Sequence, residues 1–375
     1  MSEQPNVDCA AGFGVRLIGC ADDAVLPIGM HDYAEALGCC MLVDKTMFIA
    51  DVLDCDASVV VCCRPEGFGK SMNLSMLRAF LERPAVGRAG RSSFADAQIW
   101  DADGGRYRDE YACYPVISLD FSGAARRGAA VAGVVRDALS GECARLLVLL
   151  EAPDLARDKV RHIERVARGV ASESEVDSVL GVLIELLEMA CDEQVVLLVD
   201  GYDAAWLDRS NARGTSGPGP AELLDRVLFD AIAAAGHSLR LTCLMGERPD
   251  PAEMALSSRN CSYCLSTPLS KWCDRWFGFS DAEVEALLNH AGREKYLDDA
   301  REWLEGYRFG RAYCSSPARV IGFLDRGCTA PVRADLYGYA DCLSRVICDW
   351  NLDRLSALFD LLEAHGCVEA PLCLG

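Results

Sequence analysis

No stretch of the sequence approaches the roughly 18 uninterrupted apolar residues of a membrane-spanning helix. Its longest apolar runs, around Leu146–Leu150 and Val195–Val199, have the length of a core strand or a short helical segment. The N-terminus carries acids and lacks a basic region followed by an apolar one, so no secretory leader is expected. Positive charge is scarce: 37 Lys and Arg face 57 Asp and Glu, a net charge of −20. Nucleic-acid binding draws most of its affinity from phosphate neutralisation by basic side chains, so neither a generally basic nucleic-acid surface nor direct contact with nucleic acid is expected, while a local basic patch stays open. Solubility is the simpler meaning of the charge. Histidine is also scarce, five residues without a cluster, which argues against His-based metal catalysis. There is no internal repeat and no low-complexity tract. The expectation is a soluble, cytoplasmic protein that does not engage a membrane.

Apolar residues, by contrast, make up 51% of the 375-residue chain, enough for a sizeable core and about two or three domains. Cysteine is abundant, with 20 residues. Most sit inside apolar runs (Cys39, Cys40, Cys62, Cys63, Cys243), where a thiol behaves as a small buried hydrophobe. The single C-x-x-C, Cys261 to Cys264, has no second pair at zinc spacing; Cys273 and His290 are the nearest candidates, and packed thiols are the preferred reading.

The stretch around which the chain is organised runs from Ser58 to Leu81. A β-branched apolar run, SVVVCC, leads into the turn RPEGFGKS and then into MNLSMLRAFL, with Leu74, Leu77 and Leu81 at helical spacing. A loop between a buried strand and a helix N-terminus presents backbone N–H groups and partial positive charge to an anion. In the pattern G-x-x-x-x-G-K-[ST] the glycines let the backbone curl round phosphates, the Lys reaches the β/γ oxygens and the hydroxyl binds Mg²⁺. Gly69, Lys70 and Ser71 fit, whereas Arg64 stands at the first glycine position. The plainer alternative is an ordinary strand–helix turn with a solvated lysine.

Further strands are expected at Tyr114–Asp120, Val195–Asp200 and Leu239–Met245, with helices over Arg136–Leu150, Val176–Ala190 and Ala221–Ala235. Val195–Asp200 is continuously apolar up to its terminal acid, as expected of a strand buried on both faces. Strands separated by helices imply a mostly parallel sheet covered by helices, with ligands beyond the carboxyl ends of the strands. Lys70, Ser71, Asp120, Asp200 and Arg248 fall at such ends. Residues 1–25 read as a loosely ordered lead-in, and Arg209–Pro220, rich in Gly, Ser and Pro, as a mobile loop. After Asn260 the pattern turns helical. Ser280-Asp281-Ala282-Glu283 is a capping box, and further helices are expected at Leu297–Leu304, Pro317–Leu324 and Leu352–Ala364.

A P-loop NTPase places an acid at the end of a neighbouring buried strand to hold Mg²⁺, and another acid or a glutamine to orient the attacking water. Asp200 suits the first role, or else starts a turn with Gly201. Gly201 occupies the place of the water-activating Glu of many ATPases, so a general base is missing there; Asp203 is a candidate substitute. Glu66 lies inside the loop, where a carboxylate about 6 Å from a phosphate costs on the order of 1–3 kcal/mol unless it turns outward. Arg248 is either a stabiliser of developing γ-phosphate charge or a surface arginine.

These residues resemble the prokaryotic AAA-ATPase-like proteins, a P-loop family often fused at the C-terminus to a PD-(D/E)XK-type nuclease domain. The likeness is carried by Leu26-Pro27-Ile28-Gly29, Val43-Asp44-Lys45-Thr46 with Phe48-Ile49, Arg64-Pro65 with Phe68-Gly69-Lys70-Ser71, and Asn73–Leu77. Tyr114–Ile117, Leu198-Val199-Asp200 with Tyr202-Asp203, Phe277–Ser280 with Glu283-Val284, and Trp303 with Gly306–Gly310 continue it. The family's loop looks like R-P-R-R-F-G-K-[ST], which accounts for Arg64. The resemblance implies Lys70 and Ser71 as phosphate and Mg²⁺ contacts and Asp200 as the second-strand acid. It also marks three departures. The two loop arginines are Glu66 and Gly67 here, D-E-Y-D is Asp200-Gly201-Tyr202-Asp203, and the sequence stops at Gly375, too early for a nuclease domain.

The resulting expectation is an α/β P-loop NTPase domain over residues 26–265 and a smaller helical module over residues 266–375. ATP and Mg²⁺ are the expected cofactors. The loop Arg64-Pro65-Glu66-Gly67-Phe68-Gly69-Lys70-Ser71 is the expected nucleotide contact, Ser71 and Asp200 the metal site, and Asp200, Asp203 and Arg248 the catalytic candidates. Nucleotide would switch the two modules, with slow or absent hydrolysis. The rival readings are a non-hydrolysing interaction or scaffold protein with a relic loop, and an accessory partner of a separate nuclease. A protein partner or a homo-oligomer is compatible with each.

Overall fold

The computed structural model describes residues 14–19, 26–84, 93–123, 131–207, 219–304 and 306–329. Those up to Cys328 belong to one compact unit. Its centre is a five-stranded, all-parallel sheet of Val59–Cys63 (β3), Val116–Asp120 (β4), Val195–Asp200 (β5), Leu239–Gly246 (β6) and Tyr263–Ser266 (β7), in the order β4-β5-β6-β3-β7. Leu17–Gly19 (β1) and Met41–Val43 (β2) pair antiparallel apart from it, as do Tyr307–Phe309 (β8) and Ala312–Cys314 (β9).

Side chains alternate across a strand, so a strand buried on both faces needs apolar residues at every position. Val59, Val61 and Cys63 of β3, with Val195, Leu197 and Val199 of β5, pack under the helices Val131–Leu146, Arg157–Ala167 and Glu173–Cys191. Val60 and Cys62, with Val196 and Leu198, pack on the opposite face against Tyr33–Cys39 (α1), Met47–Leu53 (α2) and Lys70–Leu81 (α3). Phe277, Phe309 and Cys314, from beyond the sheet in sequence, join this second layer. A smaller cluster of Val284, Leu287, Leu288, Val320, Phe323 and Leu324 closes the C-terminal helices on one another.

The α/β architecture expected from the sequence is the one found. Several details differ. The strand read as Tyr114–Asp120 starts at Val116, and the helix read over Arg136–Leu150 begins at Val131 and gives way at Leu146 to a 3₁₀ turn, Leu147–Leu150. Pro220–Leu224 and Ala231–Ala235 are joined through a π-helical turn, Asp225–Asp230. The lead-in contributes β1, held beside β2. The stretch after Asn260 is not purely helical, because it supplies β7 at the sheet edge beside β3 and the β8–β9 hairpin. These strands are three or four residues long, too short to show a period. The capping box is present as read, with Glu283 also paired to Lys45 at 2.6 Å. Most of the Gly/Ser/Pro loop and all of the helix read at Leu352–Ala364 lie outside the described residues. Among the described residues no helix is long and apolar enough to cross a membrane.

Candidate nucleotide site at the carboxyl ends of β3, β5 and β6

The sheet's register brings three strand exits to one level: Cys63 lies opposite Gly246, and Asp200 opposite Met245. The acid-bearing strand β5 is not the neighbour of β3, as the sequence reading assumed; β6 runs between them. Ser71, in the first turn of α3, nevertheless reaches across, and its Oγ donates to Asp200 Oδ2. Asp200 is buried at 6% exposure, so this hydroxyl–carboxylate contact is largely shielded from solvent.

The loop between β3 and α3 has two faces. On the open side Gly69 takes a left-handed conformation (φ 80°) at the N-cap of α3, with no side chain capping the first amides. Leu74, Leu77 and Leu81 bury the opposite face of that helix and fix its axis. Lys70 lies along the open side and folds back, its Nζ donating to the carbonyls of Arg64 at 2.8 Å and Pro65 at 3.0 Å. Glu66 is exposed, so the electrostatic cost foreseen for a carboxylate beside phosphate is screened by water.

The packed side is built by residues that the sequence reading assigned to nucleotide. Arg64 is fully buried and turned away from the open side. It donates to the carbonyls of Cys63, Ser266 and Cys273 and to Ser266 Oγ, and its guanidinium lies 4.8 Å from the Phe277 ring and 5.2 Å from that of Phe309. Burial pushes its pKa down, though the carbonyls and ring faces supply the electron density a guanidinium needs. Phe68 is wedged edge-on between Tyr307 at 4.7 Å and Phe309 at 4.8 Å. Gly67 has φ 82°, and its carbonyl accepts from Ser316 Oγ and from the Ala318 amide. An added Cβ there would stand 3.1 Å from both Ala318 Cβ and Ser316 Oγ.

The segment Asp200-Gly201-Tyr202-Asp203 divides in the same way. Asp200 faces Ser71, but Asp203 does not point toward the loop's open side. It is 1% exposed, and its Oδ2 accepts the amides of Glu247 at 2.8 Å and Arg248 at 2.7 Å. Burial raises its carboxyl to about 6, against the pull of those two amides. Tyr202, wholly buried, bonds to the Arg248 carbonyl and to Cys63 Sγ. Arg248 turns its guanidinium to Asp250, at 2.9 and 3.1 Å. Asp120 is exposed at the edge strand and accepts from Ser122. The structure thus brings Lys70, Ser71 and Asp200 together, uses Arg64, Gly67, Phe68 and Asp203 as supports, and sets Asp120 opposite Asp200 on the edge strand, bonded to Ser122.

One residue passed over in the sequence joins the group. Glu247, directly after β6, holds its carboxylate 3.9 Å from Lys70 Nζ. The available signal was the one used for Asp200, an acid at the end of a buried strand.

A family described as predicted AAA-ATPase matches residues 27–246, more than half of the chain. The matched region begins at the Leu26–Gly29 motif and ends with β6, so the motifs around Phe277 and Gly306–Gly310 fall beyond it. No curated protein matches the chain.

Proposed function

The chain belongs to the predicted AAA-ATPase family, and from that premise we propose that it binds Mg²⁺–ATP on the loop Arg64–Ser71 and uses the bound nucleotide as a switch. The observation that carries this reading is the hydrogen bond from Ser71 to buried Asp200, beside Lys70 and the uncapped start of α3. A hydroxyl and a carboxylate in contact form a hard-oxygen donor pair of the kind Mg²⁺ takes alongside water and phosphate oxygens. Ser71 and Asp200 would hold the ion, which when bound neutralises charge on the β- and γ-phosphates. Lys70 would exchange its two loop carbonyls for phosphate oxygens, and the amides of Gly69 and the first turn of α3 would face the same anion.

Switching is supported by the packed side of the loop. Arg64, Gly67 and Phe68 are gripped by residues of the 266–318 segment, so a loop that rearranges around phosphate pulls on β7, the β8–β9 hairpin and the helix Pro317–Asp325. A second reading, an interaction protein that binds without turnover, is favoured by Gly201, which puts no carboxylate beside Asp200.

Titration of a fluorescent ATP analogue with and without Mg²⁺, on wild type and Lys70→Ala, tests the proposal. The expected result is Mg²⁺-dependent binding weakened about 10- to 100-fold in the variant, the worth of a charge-assisted contact of about 1.5–3 kcal/mol. Equal affinity in both proteins would sink it.

A further inference from the structure

The position that lacks a carboxylate has no room for one. Gly201 sits at φ 69°, and a Cβ on it would stand 2.6 Å from the Ser122 backbone nitrogen, 2.8 Å from the Ser122 Cα and 3.1 Å from the Phe121 carbonyl carbon. Those atoms belong to the chain leaving β4, which is locked to β5 by the bond from the Phe121 amide to the Asp200 carbonyl. A group that orients water therefore has to come from another element.

Four other acids lie near these strand exits. Asp120 stands opposite Asp200 on the edge strand β4, exposed and bonded to the Ser122 amide and hydroxyl, three strands from β3 and Lys70. Asp203 is committed to two backbone amides. Glu66 is exposed on the loop. Glu247 alone of the four leaves the strand between β3 and β5, and its carboxylate stands 3.9 Å from Lys70 Nζ. Its carboxylate is mostly enclosed, with 19% of its side chain exposed.

The backbone that carries Glu247 is held from both sides. Asp203 takes the amides of Glu247 and Arg248, Tyr202 takes the Arg248 carbonyl, and the Arg64 amide donates to the Gly246 carbonyl at 3.0 Å. Gly246 has to be bare, since a Cβ there would meet the Tyr202 ring at 2.6 Å and Asp203 Oδ1 at 2.8 Å. Such bracing is what a catalytic side chain needs, because a misplacement of about 1 Å can cost a factor on the order of 10² in rate.

We propose that Glu247 is the catalytic carboxylate of this site, standing in for the one that Gly201 cannot carry, and that it orients and deprotonates the water that hydrolyses ATP. The inference rests on the nucleotide-binding reading above. The water oxygen forms a bond to the γ-phosphorus, and the bond from that phosphorus to the β–γ bridging oxygen breaks with its electron pair leaving on ADP. The proton of the water passes to Glu247 and from there to solvent. ADP and inorganic phosphate are the products, and no redox partner is needed. In the structure Lys70 faces this carboxylate; once Lys70 turns to phosphate, the carboxylate faces the water.

The test compares full-length wild type, Glu247→Gln and Glu247→Asp in two measurements on the same samples: affinity for the fluorescent ATP analogue with Mg²⁺, and single-turnover phosphate release. A general base contributes on the order of 10²–10⁴ in rate. Glu247→Gln, nearly identical in shape, is expected to bind nucleotide within about threefold of wild type and to release phosphate at least about 100-fold more slowly, with Glu247→Asp in between. Unchanged phosphate release in Glu247→Gln overturns the proposal. So does a rise in affinity with the rate per bound nucleotide unaltered, which would make Glu247 only a competitor for Lys70. Wild type that binds nucleotide and releases no phosphate above the Lys70→Ala background overturns the inference and leaves binding intact. Wild type that binds no nucleotide overturns the binding reading, and the inference with it.

Discussion

The two faces of the Arg64–Ser71 loop are made from one short run of sequence and are built on opposite principles. Its open face is polar, with Lys70 satisfied provisionally by its own loop's carbonyls and Ser71 by Asp200. Its other face is closed by aromatic packing and by a buried guanidinium held through four hydrogen bonds. The contrast teaches that the residues of one motif can serve different ends. One half of this loop is held by its neighbours, and the other presents a lysine and a hydroxyl.

The comparison breaks most severely if the packed face is emptied. Phe68→Ala removes a ring that is 2% exposed and in edge contact with two others, and is expected to cost about 3–5 kcal/mol in a urea denaturation series. A loss below about 1 kcal/mol, within the range of surface substitutions, would mean that the ring is not an anchor.

How much of this could be read beforehand depended on burial. The central strands were legible because burial on both faces leaves unbroken apolar runs such as Val195–Val199. The order β5-β6-β3 was not legible, since register and adjacency depend on long-range pairing that leaves no periodic mark. Lys70, Ser71 and Asp200 stand out in the sequence by spacing and by strand ends, and the hydrogen bond from Ser71 to Asp200 joins two of them. The direction of Arg64 was hidden, because a cation beside an expected phosphate invites the electrostatic reading, and its real partners are more than 200 residues away at Ser266, Phe277 and Phe309. The placement of Asp203 is hidden for a similar reason: the amides its Oδ2 accepts belong to the next strand's exit.

A subtler break concerns the support behind the open face. Burial raises the Asp203 carboxyl to about 6 in the folded chain, against about 3.9 for an unperturbed aspartate. The protonated form is thus favoured by folding. The stability this contributes is fully present below about pH 4 and is lost as pH rises through about 6, a swing of up to about 3 kcal/mol. Asp203→Asn keeps an oxygen for the two amides and removes the titration. Unfolding free energies from pH 4 to 7 should fall in wild type relative to the variant, and parallel curves would show that Asp203 is not a buried acid.

The smallest effect sharpens the comparison at Gly201. Gly201→Ala is expected to destabilise by about 1–2 kcal/mol from its left-handed backbone, with the close Ser122 contact adding to it. Gly201→Glu should release phosphate no faster than wild type. Faster release would show that the backbone yields and that the missing carboxylate belongs there after all.

The carbonyl of Gly67 carries a consequence of its own. It accepts two donors from one helix start, Ser316 Oγ at 3.0 Å and the Ala318 amide at 3.2 Å. Both bonds depend on the orientation of a single peptide plane, and that plane lies in the loop between β3 and α3. Rotating that plane by about a quarter turn would take the carbonyl away from both donors at once. The start of that helix is thus tied to the loop directly, with no element between them.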